Sequence, residues 1–271
     1  GTKFEHTALT GVELQPSARL LWIPNETNTV WIAYSHSTRS PSLVDDNINF
    51  TIAPFTTLQG SRDAESEEMD AFEIGYRIKP IDTLSLDFTV FYNKFTNVLA
   101  FDSLAPAPPF FLPSPGVADN TGDGSTYGGE LAATYIVSQD WRLMLSYSHT
   151  RVDLNLEGTF FPVPGQRALT LYDEESTAAN KVSLRSYYSI NEKMDVDISA
   201  YYMDNFNAGN RTAKDPGTKA YITLDVRLAY RPTDDLELSV VGNNLLNDSQ
   251  QQTGTAAEVS RSVLFMLSYD F

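Results

Sequence analysis

The chain is 271 residues long, carries a formal charge of −16 and has no cysteine. The acidic balance argues against nucleic acid as a partner, since phosphates need a basic surface. The missing thiols exclude disulfides, thiolate metal sites and a cysteine nucleophile. The longest apolar runs, such as Val30–Tyr34 and Val263–Leu267, are far short of the ~18 residues of a spanning helix, whereas a spanning strand needs only ~9–11.

The start, Gly1-Thr2-Lys3-Phe4, has no signal-peptide pattern, so an exported protein with this sequence is expected to be processed or partial. From there, period-two alternation predicts about twelve strands. They fall near 1–7, 14–24, 28–39, 68–79, 83–98, 125–138, 140–153, 178–190, 193–205, 218–231, 235–247 and 258–271. In chain order, Phe72, Ile74, Tyr76 and Ile78 alternate with Glu73, Gly75 and Arg77, and Leu84, Leu86, Phe88, Val90 and Tyr92 with Ser85, Asp87 and Thr89. Trp141, Leu143, Leu145 and Tyr147 alternate with Arg142, Met144 and Ser146, and Ile222, Leu224, Val226, Leu228 and Tyr230 with Thr223, Asp225, Arg227 and Ala229. No segment sustains a helical period with caps.

The connections alternate in length. Short turns lie at Pro24-Asn25-Glu26, Pro80-Ile81-Asp82, Ser138-Gln139-Asp140, Asn191-Glu192-Lys193 and Pro232-Thr233-Asp234, each carrying turn residues. Longer segments fall near 40–67, 99–124, 154–177, 206–217 and 248–257, and the hairpin near 8–13 is the one short connection on that side. A soluble sandwich has no reason to alternate so, whereas an outer-membrane barrel has short turns on the periplasmic side and long loops outside. The expected fold is therefore all-β, an antiparallel transmembrane barrel formed by residues 1–271 as one unit, with both chain ends on the periplasmic side.

Aromatic placement agrees. Trp22, Trp141, Tyr188 and Tyr230 lie within a few residues of short turns, where rings favour the headgroup level and form an interfacial girdle. Trp31 is ambiguous, because Val30, Ile32 and Tyr34 compete for the apolar face.

Several signals lead elsewhere and are weaker. Asp119-Asn120-Thr121-Gly122-Asp123-Gly124 with Glu130 nearly fits a calcium loop, but threonine replaces one ligand and Glu130 begins a strand; a glycine-rich start to a strand is the simpler reading. The acidic stretch Asp63, Glu65, Glu67, Glu68 and Asp70 reads as a solvated loop. His6, His36 and His149 lie far apart, and neither Ser35-His36 nor Ser148-His149 comes with an identifiable orienting partner. Adjacent strand residues point to opposite faces, so no catalytic triad is expected. The sequence thus predicts no enzyme, no metal site and no cofactor.

The last strand, Val263 to Phe271, puts Val263, Phe265, Leu267, Tyr269 and Phe271 on one face, and Phe265, Leu267, Tyr269 and Phe271 look like the terminal signal read by the outer-membrane assembly machinery. Two further stretches resemble TonB-dependent receptors. One runs from Phe4-Glu5-His6 through Thr10-Gly11-Val12-Glu13-Leu14 to Leu20-Leu21-Trp22 and on through Val30-Trp31-Ile32-Ala33-Tyr34 to Ser40-Pro41-Ser42. The other is Val241-Gly242-Asn243-Asn244-Leu245-Leu246-Asn247-Asp248.

The resemblance implies a bacterial outer-membrane barrel of about 22 strands around a plug, of which this chain supplies roughly the C-terminal half, without the plug. It implies partners in outer-membrane lipid and lipopolysaccharide, the missing barrel half and plug, TonB through that plug, and a scarce ligand such as an iron–siderophore chelate. Arg19, Glu73, Arg77, Asp87, Arg142, Arg185, Asp197, Asp225, Arg227 and Glu237 are then expected on the wet face. Ligand contacts are expected from long loops. Phe110, Phe111, Phe160 and Phe161 lie among prolines that stiffen their loops, and with Arg167 and Tyr172 they suit an aromatic, anionic chelate; the alternative is that these rings pack the loops together. Two other readings remain open, a self-contained twelve-stranded passive channel or adhesin-like barrel, and a soluble all-β binding protein.

Overall fold

The computed structural model describes residues 1–52, 55–103, 116–156, 174–206, 218–251 and 258–270. Its strands in chain order are β1 (Thr2–Thr7), β2 (Gly11–Asn25), β3 (Asn28–Arg39), β4 (Asn49–Ile52), β5 (Phe55–Gln59), β6 (Glu67–Ile81), β7 (Leu84–Ser103) and β8 (Gly116–Ser138). They continue with β9 (Trp141–Leu156), β10 (Asn180–Asn191), β11 (Met194–Met203), β12 (Tyr221–Thr233), β13 (Leu236–Asn243), β14 (Ser249–Gln251), β15 (Glu258–Ser260) and β16 (Ser262–Tyr269). One sheet runs in the order β1-β2-β3-β6-β7-β8-β9-β10-β11-β12-β13-β16, with every pair along it antiparallel. These are the twelve strands expected from alternation. β1 and β16 end the order and are not paired with each other, so the wall is an open partial barrel.

The structure differs from the sequence expectation above the long-loop ends. β7 and β8 continue five and nine residues beyond their expected limits of 98 and 125, because pairing extends to Ser103↔Gly116 where glycines blur the alternation. The segment Asp119–Gly124 is thus ladder and not a calcium loop. A short helix α1 (Leu43–Asn47) occurs where no capped helix was expected; Ser42 and Asp45 form a reciprocal capping box, which stabilises a single turn too brief to show a period. β4 and β5 pair with each other and β5 then joins β8. Residues 258–260, expected in the last strand, pair instead with β14 as a separate hairpin.

The register makes one face continuous. Trp22, Val30, Tyr76, Phe88, Leu131, Tyr147, Val182, Tyr202 and Ile222 are successive partners across nine strands from β2 to β12. No charge interrupts this row. Its members include Trp22 at 63% and Ile222 at 51% exposure, while the buried apolar residues are only Val98, Leu99, Ala100, Ala118, Ala178 and Ala229 among the described residues. A large apolar side chain gains roughly 1.5–3 kcal/mol on burial, so leaving one such row in water forgoes as much as the about 5–15 kcal/mol that holds a whole domain folded. Among the described residues no second layer covers the row, which calls for another apolar phase against it.

Candidate functional site

The opposite face is built from the residues between those just named. On it Arg19 pairs with Glu73, Arg77 with Asp87, Arg227 with both Asp197 and Glu237, and Arg231 with Asp195 and Glu237. Arg142 lies over the Tyr187 ring and Arg185 over the Tyr201 ring, at 5.0 and 5.5 Å from their centroids. All ten charged residues expected on the wet face lie here, by alternation from the paired rows. The ion pairs are partly exposed, and such pairs contribute about 0–1 kcal/mol each. Their consequence is orientation: they fix long charged side chains against the wall.

Trp31, ambiguous in the sequence, faces this polar side. It stands opposite Gly75, and a Cβ on Gly75 would lie 1.9 Å from the indole, so glycine is what lets the ring lie flat on the strand. The indole N–H donates to Glu73 Oε1 at 2.6 Å, and the Arg77 guanidinium sits 5.8 Å from the ring centroid. A buried or half-buried indole takes an acceptor where it finds one, and only the inner face offers a carboxylate here.

Toward the long-loop end the inner face changes character. Met69, Phe95, Gly124 and Leu154 are successive partners on β6, β7, β8 and β9, and Val152 lies one inward step below Leu154. A Cβ at Gly124 would come within 2.7 Å of Leu154 Cδ2, so this glycine lets Leu154 lie across β8. With Val98, Ser176 and Thr177, the side chains of Met69, Phe95, Val152 and Leu154 line a cavity of about 380 Å³ whose lining also carries the Arg39–Glu67 ion pair. Glu67 also accepts the Leu99 backbone N–H at 2.9 Å, which ties the pair to β7. Sequence reasoning missed this niche, although its signal was there: the inward positions of β6, β7 and β9 turn from charged to apolar near their loop ends.

Two further hubs hold the loop end together. The β2–β3 ladder starts at Ser17↔Ser35, just past Pro16, which has no N–H to donate. Above that break Glu13 accepts hydroxyl hydrogen bonds from Thr10, Thr38 and Ser66, closing the gap with side chains. Asn120 accepts the Glu65 N–H at 2.7 Å and donates to the Glu65 and Asn97 carbonyls, pinning the acidic stretch to β8. That stretch is thus not simply solvated: Glu67 and Asp70 are both engaged. No group of three metal-binding side chains occurs among the described residues.

The histidines of the two Ser-His pairs, His36 and His149, do have orienting partners, contrary to the sequence expectation. His36 Nδ1 is 3.0 Å from Asp70 Oδ1, which also accepts from Tyr34. His149 Nδ1 is 2.9 Å from Asn180 Oδ1, and Asn180 donates to Asp204. The Asp204 carboxyl, just beyond β11, is held below its ordinary range by the Tyr202 hydroxyl first and Asn180 second. Ser35 and Ser148 nonetheless occupy inward positions while the histidines point outward, so neither histidine activates its neighbour.

Of the residues expected at interfaces, Trp22, Trp141, Tyr188 and Tyr230 all lie exposed on the outer face near short turns. Trp141 and Tyr188 meet edge-on at 5.9 Å, and the Trp141 N–H donates to Ser186. Phe265, Leu267 and Tyr269 share the outer face of β16, with Phe265 81% exposed. Phe110, Phe111, Phe160, Phe161, Arg167, Tyr172 and Phe271 lie outside the described residues.

A profile of the family described as TonB dependent receptor-like, beta-barrel matches residues 1–245. A search of curated proteins returned no match. Among solved structures the chain is similar to a mutant of the ferric enterobactin receptor of Pseudomonas aeruginosa, with a TM-score of 0.74 and 13% identity over 100% of this chain and 42% of that one. It is also similar to the FrpB iron transporter of Neisseria meningitidis, with a TM-score of 0.70 and 18% identity over 96% of this chain and 40% of that one. A third likeness is to the ferric-catecholate import receptor Fiu of E. coli K12, at TM-score 0.70 and 17% identity over 96% and 35% of the two chains. The chain therefore spans about two-fifths of the length of these structures, and at such identities the likeness is one of fold.

Proposed function

Since the chain belongs to the family of TonB-dependent receptor β-barrels, a family of transport receptors and not enzymes, we propose that it is barrel wall of an outer-membrane receptor that imports a scarce nutrient, an iron–siderophore complex, with energy delivered through TonB. The observation that carries this reading is the two-faced sheet: an uncharged row across nine strands on one side, and paired arginines and carboxylates on the other. Hydrocarbon covers the first face and a hydrated plug meets the second. Trp22, Trp141, Tyr188 and Tyr230 form the periplasmic girdle, and Phe265, Leu267 and Tyr269 of β16, with Phe271 of the sequence, carry the assembly signal. The neighbours named for ferric enterobactin and ferric catecholate support an iron chelate as ligand. The niche of Met69, Phe95, Val98, Val152 and Leu154 suits its apolar or aromatic part. Phe110, Phe111, Phe160, Phe161, Arg167 and Tyr172, in the long connections of the sequence, are the further ligand contacts of this reading.

The test is uptake of radiolabelled ferric catecholates by cells lacking the full-length gene and by the same cells complemented with it. Complementation is expected to restore uptake, and only in cells that have TonB. Equal uptake with and without the gene overturns the iron reading; uptake that persists without TonB overturns the energised one and favours a passive channel. Within the same receptor, changing Phe110, Phe111, Phe160 and Phe161 together to Ala is expected to weaken ligand affinity at least tenfold with normal surface levels, measured by binding to whole cells. Unchanged affinity removes the four rings from the site. Deleting Phe271 is expected to lower the folded, heat-modifiable band in outer-membrane fractions several-fold, and a normal band counts against the terminal signal.

A further inference from the structure

The charges of the inner face are not spread evenly along the wall. Arg19, Arg39, Arg77, Arg227 and Arg231 each meet a carboxylate. The adjacent strands β9 and β10 differ. Their inward positions hold Arg142, Lys181 and Arg185 and no aspartate or glutamate, because the one acid on either strand, Asp153, stands opposite Ser125 on the outer face. None of these three cations is in an ion pair among the described residues. The nearest inward acids lie on the strands to either side. Glu130 of β8 shares a row with Ser148 and Lys181, two strand spacings or about 10 Å from the lysine. Asp197 of β11 stands opposite Tyr187 and is held by Arg227. The two strands therefore form a cationic strip bounded by carboxylates, in a chain of formal charge −16.

The strip has a direction. Val152 and Leu154 of β9 line the apolar niche at the loop end, and Thr150, Ser148 and Ser146 follow them inward and downward on the same strand. Lys181 lies beside Ser148, and Ser183 beside Ser146. Arg185 is four residues further down β10, about 13 Å from Lys181. Arg142 is one strand across and one inward step lower, about 8 Å from Arg185 between Cα atoms. The three cations thus descend from the niche to the short-turn end of the wall. Lys181 and Arg142 are exposed, and Arg185 is half-buried. The Tyr187 and Tyr201 rings hold the two guanidinium groups in place without cancelling their charge. Arg185 Nε is buried and has no hydrogen-bond partner, which leaves this group short of an acceptor.

We infer that the inner face of β9 and β10 is the lane by which an anionic cargo leaves the niche for the periplasmic side, passed from Lys181 to Arg185 to Arg142. Moving an anion along a wall needs attraction at several points and tight binding at none. Arginines locked to carboxylates offer little of that attraction, whereas a guanidinium resting on a ring can turn its planar fork to a passing oxyanion. Serine and threonine hydroxyls between the cations solvate the cargo on its way, and Glu130 on one side and Asp197 on the other discourage it from leaving the strip. Lys181, Arg185 and Arg142 are positioning residues for transport. The inference rests on the receptor reading above and goes beyond it by naming the part of the wall that the cargo follows.

Cells expressing the full-length receptor are assayed with a ferric catecholate for surface binding and for uptake rate. R142Q/K181Q/R185Q is expected to lower the maximal uptake rate at least fivefold while its dissociation constant stays within twofold, and R142K/K181R/R185K to keep most of the rate. An unchanged rate, or an affinity loss that matches the loss of uptake, overturns the lane. A lower melting temperature of the purified glutamine variant, together with ligand-independent entry of a large antibiotic, assigns the cations to holding the plug and also overturns it. Uptake that does not depend on the gene refutes the earlier reading, while gene-dependent uptake at full rate in the glutamine variant refutes this one alone. A second measurement does not depend on that variant folding. The 271 residues contain no cysteine, so single introduced thiols report access. Ser183→Cys, in the strip, is expected to react with a sulfonated thiol reagent several-fold faster in cells importing the chelate than in cells without TonB. Ala33→Cys, on β3 opposite Arg19 and Glu73, should react at the same rate in both. Equal behaviour of the two positions overturns the lane.

Discussion

Leu131→Arg in the full-length receptor is expected to destabilise the barrel by about 2–4 kcal/mol, whereas Ala132→Arg, one residue along, costs little. Leu131 occupies the middle of the uncharged row, between Phe88 and Tyr147, at the depth where a cation is most expensive. Ala132 faces the other way, exposed and opposite Asp87, so an added guanidinium meets water and a carboxylate. Unfolding of the two variants from lipid vesicles in urea measures the difference, and surface abundance should fall several-fold for the first alone. Two variants of equal stability would mean that the sheet does not separate hydrocarbon from water, and the transport-wall reading would fail with it. The comparison is sharp because sequence position, strand and added chemistry are nearly held constant, and only the face changes.

Gly128→Ala is expected to be the most disruptive single methyl in the wall, costing on the order of 3 kcal/mol. Its Cβ would lie 2.0 Å from the His149 carbonyl oxygen and 2.9 Å from Phe91 Cζ. The first of these atoms is backbone, so relief requires β8 and β9 to part at the center of their ladder. Gly129→Ala gives the internal control, since its nearest neighbour would be 3.3 Å away and alanine reduces the freedom of the unfolded chain. Urea midpoints of the refolded barrels compare them, and a Gly128→Ala barrel as stable as Gly129→Ala would show that the two strands approach less closely than described. Gly75 presents a milder case, because the atoms in its way belong to the Trp31 side chain, which can turn aside.

Much of the wall was legible before any coordinates. Period two is a property of the strand backbone itself, so Leu84 to Tyr92 or Ile222 to Tyr230 announce their faces locally. The short turns were equally plain, because Asn25, Asp82, Asp140 and Asp234 favour turn conformations at their own positions. Where glycine enters the pattern the reading weakened: in 116–124 the alternation is diluted by Gly116, Gly122 and Gly124, and the strand was mistaken for loop. Trp31 was undecidable for a different reason. Its neighbours on the chain are apolar on both sides, and its acceptor, Glu73, lies on another strand.

The sequence by itself determined the twelve strands of the wall, their two faces and the alternation of short turns with long connections, since each follows from interactions within a few residues. Only the tertiary structure decided what meets what across strands. It brought Met69, Phe95 and Leu154 into one row, turned Trp31 onto Gly75, and gave His36 its Asp70. Those meetings depend on register, and register is a collective choice: sliding one strand by a single residue inverts its faces. The cost of that inversion is spread over every neighbouring strand, so no local stretch of sequence contains it.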